Sequence, residues 1–239
     1  MEDDLLTIRE AAELLGVSVD TLRRWDRSGK LPAMRKKGGT HRYYARRDLE
    51  LTGSDLLELA SEWAFVEQAL PRDYYCEYSS VFQQRLVRMQ DELMRSGVEE
   101  GLLSLIVAVA GEIGNNSYDH NIGNWPDVPG TFFGFRVKQG DVVLADRGLG
   151  VLHTLKAVKP DLDNHVDALR VAFTEIVSGR SPEARGNGLK FVRSVVGNHP
   201  LSLFFQSGDA ELRMRGEQPD LHITRSPVMI RGCLARVTF

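Results

Sequence analysis

Glu112-Ile-Gly-Asn-Asn116-Ser-Tyr-Asp119-His120-Asn121, then Asp146-Arg-Gly148-Leu-Gly150, then Gly186-Asn-Gly188-Leu189: these three segments, in this order, decide how the chain is read. In the first, Glu112, Asn116, Asp119 and His120 are spaced to share neighbouring positions of one helical face. Such a polar stripe on an otherwise apolar helix is costly to bury unless a ligand, ion or water satisfies it. An Asn oxygen is a hard ligand suited to Mg²⁺, and a carboxylate one turn away can orient and deprotonate a nucleophile. In the second, a carboxylate at a strand end can accept a hydrogen bond from a purine amino group, and spaced glycines let backbone approach a ligand closely. In the third, Arg185-Gly186-Asn-Gly188-Leu189 opens a helix, where backbone N–H groups are suited to phosphate. Each alone is commonplace, a turn or a loop-to-helix junction. Together they predict a pocket for ATP carried with Mg²⁺.

Working outward, the pattern predicts a helix over Val81 to Arg95 with Phe82, Leu86, Met89 and Leu93 on one side, and a second from about Val98 through His120. Strands are expected at Thr131–Lys138 and Asp141–Ala145, joined at Gln139-Gly140. A helix through Lys190–Val196 follows, then strands at Leu201–Gln206 and Glu211–Arg215 around a turn at Ser207-Gly-Asp209. Gly232–Phe239 closes the sheet.

Residues 81–239 resemble the GHKL ATPases on all three segments; this superfamily includes gyrase B, the Hsp90-type chaperones, histidine kinases and anti-sigma-factor serine kinases. The resemblance implies a Bergerat α/β sandwich with a mixed sheet and a helical layer. It implies Glu112 as catalytic base, Asn116 as Mg²⁺ ligand and Asp146 as adenine reader. Asp119, His120, Gly148, Gly150, Arg185, Gly186, Gly188, Leu189 and Lys190 would complete the nucleotide site, with Val151–Arg185 as a lid and Arg180 near phosphate. His120, eight residues after Glu112, is closest to the serine-kinase branch. No Walker Gly-x4-Gly-Lys-Ser/Thr occurs.

The first fifth of the chain is different. Thr7-Ile-Arg-Glu10 has capping-box form, Ala11, Ala12 and Leu15 supply an apolar face, and Gly16 permits a break. Ser18 is placed to cap a second helix that carries Val19, Leu22 and Trp25 on one flank and Arg23, Arg24 and Arg27 elsewhere, ending at Gly29 before Pro32. Arg35-Lys-Lys-Gly-Gly39-Thr-His-Arg42-Tyr43-Tyr44 reads as two basic strands joined at Gly38-Gly39. Arg46-Arg47-Asp48-Leu49 begins another helix. This order of helices, breaks, Trp and wing resembles the winged helix-turn-helix of the MerR/excisionase superfamily. By that resemblance Ser18, Thr21, Arg23, Arg24 and Arg27 face double-stranded DNA in the major groove, with Lys36, Lys37, His41 and Arg42 near phosphate or minor groove.

Charge agrees. Residues 1–50 carry 11 basic and 9 acidic side chains, a net +2, whereas the remainder is net −5. Between Thr21 and Arg47 ten basic residues face one acid, Asp26, a density suited to a polyanion.

The reading is therefore α+β: a helix-turn-helix over 1–50, a connector over 51–80 and the nucleotide domain over 81–239. The connector has Gly53, Pro71 and an aromatic cluster (Trp63, Phe65, Tyr74, Tyr75, Tyr78) but no sustained heptads, so a coiled-coil dimer is not supported while homodimerisation stays open. The acidic opening Met1-Glu-Asp-Asp and apolar runs no longer than Leu102–Ala110 argue for a cytoplasmic protein with no membrane partner. Cys76 and Cys233 stand far apart without metal-ligand spacing and are expected to be buried thiols. Two function classes are carried forward: a DNA-binding regulator set by ATP or ADP, and an anti-sigma-type serine/threonine kinase acting on a small protein partner. A third, an ATPase of a mobile-element or defence operon, ranks last.

Overall fold

The computed structural model describes residues 5–15, 17–28, 31–35, 39–46, 48–49, 55–65, 73–175, 188–218 and 220–239. The chain divides into two compact units, Met1–Leu59 and Ala60–Phe239.

In the first unit, strand β1 (Leu5–Thr7) runs into helix α1 (Ile8–Leu14), and helix α2 (Val19–Ser28) follows. Thr7 and Glu10 form the expected capping box. The Thr7 hydroxyl accepts from the Glu10 N–H, and the Glu10 carboxylate accepts from the Thr7 N–H at 2.7 Å. Ala11, Ala12 and Leu22 meet Leu31, Tyr44 and Leu49 in a small core, with Trp25 packed against it. Strand β2 (Tyr43–Ala45) pairs antiparallel with β1, Leu6 opposite Tyr44. The sequence reading missed β1. Of the expected hairpin wing, the described residues show one antiparallel bridge between Met34 and Tyr43, while Lys36, Lys37 and Gly38 at its expected tip lie outside the described residues. Residues 46 and 48–49 are helical.

Helix α3 (Leu56–Phe65) contains the boundary between the units, and its Trp63 is buried. In the second unit, short strand β3 (Tyr75–Cys76) leads to helix α4 (Ser79–Ser96), which ends at Gly97 in the left-handed conformation. Helix α5 (Glu100–Asn121) begins where the Glu99 carboxylate accepts from the Gly101 and Leu102 N–H groups. The two helices approach closely because α5 carries Gly114 where the Phe82 ring lies: a methyl there would come 2.1 Å from that ring. Strands β4 (Thr131–Arg136) and β5 (Asp141–Asp146) form a hairpin, and helices α6 (Gly150–Lys156), α7 (His165–Thr174) and α8 (Gly188–Asn198) follow. Long strands β6 (Ser202–Met214) and β7 (His222–Thr238) end the chain.

The sheet order is β3-β4-β5-β7-β6 and every pairing is antiparallel. The expected mixed sheet is thus corrected. The helical crossover from β5 does return β6 in the direction of β5, but β7 inserts between them and pairs antiparallel with both. A second correction concerns Ser207-Gly-Asp209, expected to be a turn. It is a bulge within β6, with Gly208 at φ +61, because the 17-residue β7 pairs with both halves of the strand. A third concerns the lid: α7, inside the span assigned to it, buries Ala168, Leu169 and Phe173, and Phe173 packs edge-on to Phe205 at 5.4 Å. It belongs to the core. Helices α4, α5, α7 and α8 cover one sheet face, meeting Phe133, Val142 and Leu144. Phe132 and Val143 on the other face are buried as well, and Tyr74 stacks on Phe132 at 5.3 Å.

Candidate functional site

One helix, α5, brings the three sequence segments together. At the strand end Asp146 is buried, 3% exposed, and its two oxygens accept from different elements: Oδ2 from the Ser117 hydroxyl of α5 at 2.8 Å, Oδ1 from the Gly148 N–H at 2.8 Å. Burial pushes the Asp146 carboxyl above its ordinary value, against the lowering effect of the Ser117, Gly148 and Cys233 hydrogen bonds. Such an acid gains from one more hydrogen-bond donor, and three donors leave about one of a carboxylate's four lone-pair sites for it.

The loop after Asp146 is held by Asn121, quoted above but not chosen as a site residue. Its Oδ1 accepts from the Leu149 N–H at 2.8 Å, and its Nδ2 donates to the Ser117 carbonyl at 2.7 Å. Gly148 is packed against it so closely that a methyl would lie 2.2 Å from Nδ2. Gly150 has φ +77, and the next N–H, of Val151, donates to the Ser207 hydroxyl at 3.0 Å. The signal for Asn121 was only its place five residues after Asn116; its partners are set by the tertiary fold.

The third segment meets the first. A methyl on Gly188 would come 2.5 Å from Oε1 of Glu112 and 3.1 Å from Nδ2 of Asn116. Glu112 and Asn116 are half-buried, and among the described residues neither side chain has a hydrogen-bond partner. Other sequence choices fare differently. Asp119 and His120 are exposed on the last turn of α5. Leu189 packs against the main core. Lys190, expected to reach phosphate, donates to the Glu175 carbonyl at 2.6 Å and borders a cavity of about 350 Å³ with Phe173, Thr174, Arg193, Ser194 and Asn198. Arg180, Arg185 and Gly186 lie outside the described residues. No three His, Cys, Asp or Glu side chains converge to hold a metal among the described residues.

In the first unit, Ser18 caps α2: its hydroxyl accepts from the Thr21 N–H at 3.1 Å and meets the Thr21 hydroxyl at 2.9 Å. Both residues lie at the start of the second helix of the motif, with their hydroxyls already engaged. Arg23 pairs with Asp20 at 2.9 Å, whereas Arg24 and Arg27 are exposed, as is His41. Arg42 is directed differently from expectation. Its Nε donates to Asp26 at 2.6 Å, beside Arg35 at 2.7 Å and the Ala33 N–H at 3.0 Å. The single acid of the basic stretch thus joins α2 to Ala33, Arg35 and Arg42. Its carboxyl is held below the usual range, first by the Ala33 hydrogen bond and then, against burial, by Arg42 and Arg35.

Residues 5–51 match the family of helix-turn-helix domains, and the N-terminal unit is one. The chain is 37% identical over 57 residues to the type II methyltransferase M.Eco47II of Escherichia coli, which covers 24% of this chain and 14% of that protein. It is 47% identical over 60 residues to the transcriptional repressor DcmR of Methylorubrum extorquens, covering 25% of this chain and 23% of the repressor. The chain therefore spans less than a quarter of the length of either relative. No helix among the described residues is long and apolar enough to cross a membrane.

Proposed function

We propose that this protein is a DNA-binding transcriptional regulator whose winged, MerR-like helix-turn-helix acts under the control of Mg–ATP held by a GHKL-type second unit. The observation that carries the reading is the convergence on α5: Glu112 and Asn116 beside Gly188, Ser117 on Asp146, and Asn121 on Leu149. The helix-turn-helix match and the similarity to a protein named as a transcriptional repressor support the DNA side.

The residues fit the implied ligand. Asp146 would take the adenine amino group, and Asn116 would hold Mg²⁺ arriving with the phosphates. Gly188, without a side chain, lies directly against Glu112 and Asn116. When bound, the Mg–ATP supplies an activated phosphoryl group. This chain's own work is to position it: Asn121 and Ser117 fix the Asp146–Gly150 loop, and Glu112 stands ready to hold a proton from water or an acceptor hydroxyl. The same Glu112 serves the kinase alternative, which needs a protein acceptor.

Calorimetry of the full chain with Mg–ATP, beside Asn116→Ala, tests the pocket. Wild type should bind and the variant lose at least about tenfold in affinity, roughly one metal ligand's contribution. Anisotropy of a DNA fragment from upstream of its own reading frame should differ among apo, ADP and ATP forms. Identical DNA affinity in all three would remove nucleotide control, and absence of heat with wild type would remove the ATP site.

A further inference from the structure

Arg147 lies between Asp146 and Gly148 in sequence, yet its guanidinium is 4% exposed and turned to a different part of the unit. Nη2 donates to Oδ2 of Asp127 at 2.5 Å, and Nε reaches both Asp127 oxygens at 3.3 and 3.2 Å. Nη1 donates to the Trp63 carbonyl at 2.6 Å. Trp63 is in the last described turn of α3. Arg147 thus brings a donor and a positive charge to a carbonyl in the last described turn of α3. Arg231 adds a second pair to Asp127 at 2.7 Å. A guanidinium makes the carboxylate fork and the carbonyl bond together because its donors point in fixed, divergent directions; an ammonium has three donors but no such planar fork.

We propose that Arg147 is a positioning residue that couples the nucleotide loop to α3, the helix whose chain begins in the helix-turn-helix unit and ends in the second unit. This deepens the nucleotide reading and rests on it. A purine on Asp146 adds a hydrogen bond to a carboxylate one residue from Arg147, and so favours one arrangement of the Asp146–Gly150 loop. The Arg147–Trp63 bond and the Asp127 pairs carry that preference to α3. A ligand can bias α3 only through such a differential contact, and the coupling is reciprocal: DNA bound to the first unit alters affinity for nucleotide. The motif residue between the acid and the first glycine is read in this chain as a connection, not as a ligand contact.

The experiment is hydrogen exchange of the full-length protein with and without saturating Mg–ATP, alongside calorimetry, for wild type, Arg147→Lys and Asp127→Asn. Melting curves verify that each variant is folded. In wild type, Mg–ATP should slow exchange across residues 60–65 by about fivefold or more. In Arg147→Lys the affinity for Mg–ATP should stay within about threefold of wild type while exchange at 60–65 is fast and no longer answers to nucleotide. Asp127→Asn should weaken the response in the same direction. Heat of binding without a change at 60–65 in wild type, or an unchanged response in both variants, overturns the coupling alone. No heat with wild type overturns the nucleotide reading and the coupling with it.

Discussion

Gly188 stands where any side chain would strike Glu112: a Cβ built there lies 2.5 Å from Oε1, although the two residues are 76 positions apart in the chain. The atom it would meet is the end of a flexible side chain, so the collision can be relieved by moving Glu112. Gly188→Ala should therefore fold, with a melting temperature within about 4 °C of wild type, the shift of roughly 1 kcal/mol in a domain of this size. Mg–ATP affinity should fall by about tenfold or more, because the displaced carboxylate presses on Asn116. Unaltered calorimetric affinity would remove Gly188 and Glu112 from the pocket.

Asn121 offers a contrasting case. It is 4% exposed; its Nδ2 donates to the Ser117 carbonyl of its own helix and its Oδ1 accepts from the Leu149 N–H of the Asp146–Gly150 loop. Asn121→Ala leaves the Leu149 N–H without its acceptor, a loss of about 1–3 kcal/mol for a buried group. Thermal unfolding should shift down by about 2–10 °C. Nucleotide affinity should drop with it, since the loop loses its anchor. A variant as stable as wild type that binds as tightly would assign Asn121 no positioning role.

Acid stability should report on Asp127. Burial alone would raise its carboxyl, but hydrogen bonds from Arg147 and the Val128 N–H, with the charges of Arg147 and Arg231, hold it below the usual range. The unfolded chain therefore binds this proton more readily than the folded one. The stabilisation is complete above the ordinary carboxylate value of ~4 and is lost as pH falls through the lower folded value. Asp127→Asn should cost about 3 kcal/mol at neutral pH, because the buried Arg147 charge loses its partner. Its stability should also vary less steeply than that of wild type below about pH 5, which urea unfolding across pH would measure.

On the DNA side, Arg24 is exposed on α2, whereas Arg42 is bound to Asp26. Arg24→Ala should weaken binding to duplex DNA and, where the contact is to phosphate, reduce the slope of log K against log salt by about one. Asp26→Ala should lower the melting temperature by removing the acceptor shared by Ala33, Arg35 and Arg42. Equal DNA affinity and equal salt slopes for wild type and Arg24→Ala would place the protein–DNA contact elsewhere.

Short-range signals were read well where the physics is short-range. The Thr7–Glu10 box, the Ser18 cap and the apolar faces of α4 and α5 all follow from contacts within four residues, and they stand where the pattern put them. Strand β1 was missed because three residues carry too little alternation to mark it. Ser207–Asp209 was misread because Gly and Asp favour turns locally. Its actual partners, the Gly232 carbonyl on Ser207 and the long β7 ladder, lie about 15–25 positions away in the chain.

The amino-acid sequence by itself determined the helix-turn-helix, the long helix carrying Glu112 and Asn116, and the strand that ends at Asp146, since caps and periodicity are properties of neighbouring residues. Only the tertiary structure decided that β7 separates β5 from β6, that α7 joins the core, that Lys190 turns to Glu175 and that Arg147 reaches Trp63, 84 residues back. The physical reason is that burial and long-range pairing select among partners that local pattern leaves equivalent: an arginine after a strand is a solvated turn residue until a partly buried carboxylate and a helix carbonyl are brought beside it.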